Sequence, residues 1–188
     1  MNIAVVLGTT RIGRQSEKVA NELVKRLTAL EEHSITFLDI SKYPFPVFEE
    51  RLRFHPNPPK ELIHFSEQLK AADGIIFVIP EYNGSLPGTF KNAFDHFYAE
   101  YGRKPIGAVC VSDGKFAGVQ ASIQLQTLIL HVKAYPMPTK LLVPFILKAF
   151  DEKGNLLDET VDKGMNQFID EYLWFAQAIV TQKANNPR

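Results

Sequence analysis

The sequence predicts a doubly wound α/β fold, a parallel sheet of five strands in the order 2-1-3-4-5 with helices on both faces. Three observations predict it. The runs Ile3–Leu7, Gly74–Ile79 and Ile106–Val111 are apolar without alternation, as strands covered on both faces must be. Segments with apolar residues at helical spacing lie between the strands. The strand–helix alternation repeats five times within 188 residues, a length that suits one domain over 1–188.

Ile3–Leu7 is the first strand and ends at Gly8. Ser16 opens the first helix, on which Val19, Leu23, Leu27 and Leu30 share a face. Ile35–Ile40 is a second strand with imperfect alternation. In Lys60–Ala72, Leu62, Ile63, Phe65 and Leu69 recur as on a helix face after Pro58 and Pro59, where a helix can begin. The third strand, Gly74–Ile79, is stopped by Pro80 and followed by a helix over Leu86–Tyr98 with Phe90, Ala93, Phe94 and Phe97 inward. Ile106–Val111 is the fourth strand, Val119–Val132 the fourth helix, Lys140–Val143 the centre of the fifth strand, and Val161–Val180 the closing helix. This is the flavodoxin-like order, in which ligands bind beyond the carboxyl ends of the strands where the first and third diverge. Ser41–Pro59, rich in proline and aromatic residues, is too long for a plain connection and reads as a lid or an oligomer contact. Phe150–Asp158 reads as a hairpin tip or extended loop.

Apolar residues make up 45% and charged residues 22%, so neither disorder nor a fibrous repeat is expected. Lys plus Arg and Asp plus Glu each total 21. No net field draws the chain to nucleic acid or an anionic membrane, and a small-molecule ligand is expected instead. No apolar run approaches the roughly 20 residues needed to span a bilayer, and the N-terminal run is too short for a signal peptide, so the expected location is cytoplasmic. Cys110, the only cysteine, excludes an internal disulfide and lies in an apolar run as a buried structural thiol. His33, His55, His64, His96 and His131 lack metal-ligand spacing, and no metal is expected.

Three loops carry the chemistry. In Gly8-Thr9-Thr10-Arg11-Ile12-Gly13-Arg14-Gln15-Ser16, hydroxyls, two guanidinium groups and the positive end of a helix converge, a set suited to a phosphate monoester. The loop lacks both the Gly-Lys-Ser/Thr ending of a P-loop and the three-glycine dinucleotide spacing. The plainer reading is that Ser16 caps the first helix, which is compatible with phosphate binding. In the second loop, Pro80 to Gly88, Asn83-Gly84 permits a tight turn with positive φ and brings backbone amides toward a flat polar ring. The third, Ser112 to Gly118, has small and aromatic residues to line the same cleft. Taken singly, the second and third are also compatible with ordinary turns.

GTTRIGRQS after the first strand, PEYNGSLPGTFKNAFDH after the third and SDGKFAG after the fourth together resemble the NADPH-dependent FMN reductase family, which includes soluble quinone, azo-dye and chromate reductases. The likeness runs in order over most of the chain, including PFPVFEE, with Thr9 where serine is commoner. It implies FMN as cofactor, NADPH or NADH as donor, and a small acceptor reached by a ping-pong cycle. It implies that Thr9, Arg11, Arg14 and Ser16 surround the phosphate, that Pro80, Glu81, Tyr82, Asn83 and Gly84 wrap the flavin ring, and that Ser112, Gly114, Phe116 and Gly118 close the other side. No side chain is expected to act as a catalytic acid or base. A homodimer or dimer of dimers built on the third and fourth helices is implied. Two other readings remain: an FMN-bearing electron carrier or redox-responsive binding protein, disfavoured because carriers usually show an acidic docking face whereas the charges here balance, and a flavin-free phosphate-ester binding module on the same fold.

Overall fold

The computed structural model describes residues 1–186; the last two positions of the expected domain, 187 and 188, lie outside them. Five parallel strands stand in the order β2-β1-β3-β4-β5: β1 Asn2–Leu7, β2 Ser34–Asp39, β3 Gly74–Pro80, β4 Pro105–Val111 and β5 Tyr135–Val143. Between and after them run α1 Ser16–Ala29, α2 Lys60–Ala71, α3 Gly88–Asp95, α4 Val119–His131, the short α5 Ile146–Ala149 and α6 Glu159–Asn185.

Strand periodicity sends alternate residues to opposite faces, and both sets are apolar. Ile3, Val5 and Leu7 meet α1 and α6 in one core, while Ala4, Val6, Phe77 and Ile79 meet α2, α3 and α4 in the other. In β3 and β4 every residue is buried. Cys110 is fully buried in β4, and burial pushes its thiol up to about 12. No helix among the described residues is long and apolar enough to cross a membrane.

The elements depart from the sequence expectations in four places. α3 covers Gly88–Asp95 rather than Leu86–Tyr98, because Leu86 precedes a proline, which disfavours helical backbone. β5 begins at Tyr135; Pro136 and Pro138, which obscured its pattern, are tolerated because β5 is an edge strand. α5 was not expected. α6 extends to Asn185, past Val180. The segment 150–158 does form a hairpin tip, closed by a Phe150–Leu156 bridge.

Tyr43, Phe45 and Phe48 of the 41–59 connection turn inward, while Phe54 is 61% exposed. Phe45 packs edge-on against Phe65 at 5.1 Å and stacks with His96 at 6.0 Å, and Tyr43 meets Phe65 at 4.9 Å. Asn92 fastens the strap: its side chain donates to the Pro46 carbonyl at 2.7 Å and accepts the Phe48 N–H at 2.8 Å. The abundance of aromatic residues is therefore largely accounted for within the chain's own core.

Tyr172 on α6 is fully buried, and its hydroxyl has no hydrogen-bond partner among the described residues. Removing an unsatisfied buried hydroxyl relieves a desolvation cost. Tyr172→Phe is expected to stabilise the protein by about 1 kcal/mol and raise Tm by about 2–4 °C, measured by calorimetry.

Candidate functional site

The loops after β1, β3 and β4 meet at the carboxyl edge of the sheet, where β1 and β3 connect to opposite sides. They enclose a cleft of about 500 Å³, walled by Arg11, Gly13, Gln15, Ser16, Pro80, Glu81, Tyr82, Val111, Ser112, Asp113, Gly114, Ile146 and Leu147.

The N-terminus of α1 opens into this cleft. Gln15, not Ser16, is the N-cap residue, and no side chain caps the first turn. Ser16 is the first helical residue, and its buried Oγ has no hydrogen-bond partner among the described residues; neither has Gln15 Oε1. Buried hydroxyls are ordinarily paired. An unpaired one at an uncapped helix N-terminus, in a cleft that Arg11 also lines, is what a site for an anionic oxygen ligand presents. The Ser16 hydroxyl thus fits a phosphate group and does not serve as a cap.

Thr9 is fully buried at the base of the loop. Its Oγ1 lies 2.9 Å from the Tyr82 hydroxyl and accepts the Arg11 N–H at 3.3 Å. The Arg11 guanidinium stands 5.7 Å from the centre of the Tyr82 ring. Arg14 turns away from the cleft. It donates through Nη1 and Nη2 to both Asp39 oxygens at 2.8 and 2.5 Å, through Nη1 to the Thr9 carbonyl at 2.9 Å, and through Nη2 to Glu17 at 3.2 Å. Burial works against both charges of the pair. The hydrogen bonds outweigh it, raising the Arg14 guanidinium above its ordinary value and lowering the Asp39 carboxyl below its own.

Asn83 (φ 51°) and Gly84 (φ 71°) form a two-residue turn closed by reciprocal Tyr82–Ser85 backbone bonds. Gln124 of α4 braces it, donating to the Gly84 carbonyl at 3.1 Å and accepting from Ser85 Oγ at 2.7 Å. Glu81 Oε2 accepts the N–H groups of Gln120 and Ala121 at 2.9 and 3.2 Å, capping α4, whose N-cap residue is Gly118. At φ +80° Gly118 admits no ordinary side chain, and a Cβ there would fall 3.0 Å from that of Cys110. Ser112 Oγ accepts the Gly114 N–H at 3.0 Å, holding that loop against the cleft.

Of the expected residues, Arg11, Ser16, Pro80, Glu81, Tyr82, Ser112 and Gly114 therefore share the cleft wall. Thr9 lies beneath it, Asn83 and Gly84 form the adjoining turn, Arg14 and Gly118 hold neighbouring backbone, and Phe116 is 68% exposed under Lys115. The expected set omitted Gly13, Gln15, Val111, Asp113, Ile146 and Leu147 of the wall and Gln124 behind the turn. Gly13, Gln15 and Asp113, lying inside the first and third motifs, carried a signal for their place.

The NADPH-dependent FMN reductase family model matches residues 1–147. A quinone reductase of Pseudomonas putida is 29% identical over 178 residues, which span 91% of this chain and 92% of its own length. An NAD(P)H-dependent FMN reductase of a Nectria species is 33% identical over 152 residues, 76% of this chain and 75% of its own. A 2-hydroxy-1,4-benzoquinone reductase of a Burkholderia species is 28% identical over 92% of this chain and 94% of its own. Among solved structures, a flavoenzyme NAD(P)H:(acceptor) oxidoreductase of Paracoccus denitrificans superposes with a TM-score of 0.79 at 21% identity, covering 94% of this chain and 97% of that one. Motifs, fold and cleft agree with these likenesses, and the chain belongs to the NADPH-dependent FMN reductase family, as an oxidoreductase that works with FMN and an NAD(P)H donor.

Proposed function

We propose that the cleft holds FMN with its phosphate at the start of α1 and its ring between the 80–84 and 112–114 loops, and that the enzyme serves small acceptors, quinones foremost. The observation that carries this reading is the buried, unpaired Ser16 hydroxyl at an uncapped helix N-terminus. A bound FMN would supply the redox chemistry, a hydride relay from NAD(P)H to the acceptor by a ping-pong cycle. Arg11, Gln15 and Ser16 hold the phosphate with the α1 N–H groups. The Asn83-Gly84 turn, stiffened by Gln124, presents backbone amides to the ring edge, where they stabilise negative charge. Arg14 and Gly118 act behind the wall and Glu81 within it, holding the backbone that the ligand meets. The names of the Pseudomonas and Burkholderia relatives support a quinone as acceptor, and azo compounds, metal oxyanions and free flavin share the same access.

Anaerobic addition of NADPH or NADH to the FMN-loaded protein is expected to bleach the flavin within seconds, and steady-state data with a quinone to give parallel double-reciprocal lines. Bleaching by dithionite alone would overturn the enzyme reading in favour of an electron carrier.

The chain is further proposed to work as a homodimer or dimer of dimers through α3 and α4. Ile123 and Leu130 on α4 are 51% and 58% exposed, and a cavity of about 340 Å³ opens between Lys91, Phe94 and Asp95 of α3 and Thr127, Leu128 and His131 of α4. Exposed apolar residues beside such a cavity suit an interface. Light scattering should return two or four times the 21.3 kDa chain mass; a monomer mass would contradict the proposal.

A further inference from the structure

We infer that Thr9 is a positioning residue that fixes the direction of the Tyr82 hydroxyl, making Tyr82 a hydrogen-bond donor to the phosphate of the bound flavin. The inference rests on the FMN reading of the cleft and deepens it. A threonine hydroxyl has one proton and two lone pairs. At Thr9 one lone pair accepts the Arg11 N–H at 3.3 Å. The remaining partner of Oγ1 among the described residues is the Tyr82 hydroxyl, at 2.9 Å. Thr9 is 0% exposed, so bulk solvent does not reach its hydroxyl.

Two arrangements are possible. If Tyr82 donated to Thr9, both threonine lone pairs would be filled and the threonine's own proton would be buried without an acceptor, an unfavourable arrangement. If Thr9 donates to the phenolic oxygen, every Thr9 group is satisfied and the Tyr82 proton is released toward the cleft that its side chain lines. The second arrangement wins. The Arg11 guanidinium over the Tyr82 ring marks the anion-binding end of the cleft as the place where that proton is available. The Arg14 bond to the Thr9 carbonyl, itself anchored on Asp39, keeps Thr9 in place.

The test is a double-mutant cycle on the apoprotein, titrating FMN and riboflavin by calorimetry against wild type, Thr9→Val, Tyr82→Phe, the double variant and Thr9→Ser. Thr9→Val and Tyr82→Phe are each expected to weaken FMN binding about tenfold or more, as for a hydrogen bond to a charged group. Riboflavin binding should stay unchanged, the double variant should be no weaker than either single one, and Thr9→Ser should restore wild-type affinity. Effects that multiply in the double variant, or that fall equally on riboflavin, would overturn the inference. Wild-type protein that binds both flavins equally would instead overturn the phosphate reading and this inference with it. If Thr9→Val does not fold, Tyr82→Phe alone decides, on whether the loss is confined to FMN.

Discussion

Asp39→Asn is expected to destabilise the protein by about 3 kcal/mol, because it leaves the largely enclosed Arg14 guanidinium with only the half-exposed Glu17 as counter-charge. The Arg14 and Asp39 side chains are only 10% and 8% exposed, and their paired hydrogen bonds join the end of β2 to the first loop. Breaking such a pair from one side costs more than the pair contributes in net stability. The double variant Arg14→Met/Asp39→Asn should recover part of the loss, since asparagine can still accept the Ser41 N–H that Asp39 accepts at 2.9 Å. The pair also sets an acid limit. Burial opposes the Asp39 charge, but bonds from Arg14 and Ser41 hold its carboxyl below the ordinary aspartate range. As pH falls, the unfolded chain takes up this proton first. The associated stability is thus fully present above about pH 4 and is lost as pH drops through the folded-state value. Urea unfolding between pH 2 and 7 should show this acid limb in wild type and a flatter one in Asp39→Asn.

Ser16→Ala should separate function from stability. It removes a hydroxyl that has no partner among the described residues until an anionic ligand supplies one. FMN affinity is expected to fall by about 1.5–3 kcal/mol, the range for a hydrogen bond to a charged group, while apoprotein stability is unchanged or slightly higher. Arg11→Ala should cost a similar amount of FMN binding. Calorimetric titration and apoprotein melting check both halves. Equal losses of stability and binding for Ser16→Ala would make Ser16 a structural residue.

The sheet was legible because β3 and β4 are apolar on both faces and β1 nearly so, a pattern that only covered parallel strands produce. β5 was half hidden because edge position, not pattern, is what permits Pro136 and Pro138. The motifs located the cleft, since loops at the strand ends are local in sequence. Which side chains of those loops enter it was only partly legible. Arg11 and Arg14 look alike in the chain, and the difference between them is made by Asp39, 25 residues away, which claims Arg14. Glu81 and Gly118 likewise carry α4, through bonds and packing that no spacing announces. Ile146 and Leu147 reach the wall from a four-residue helix too short for periodicity to reveal.

The central claim, that the first loop and the start of α1 bind a phosphate, is tested most directly by calorimetric titration of the apoprotein with FMN and with riboflavin. FMN is expected to bind at least 100-fold tighter than riboflavin, as two or more charge-assisted bonds would give. Equal affinity for the two flavins would contradict it.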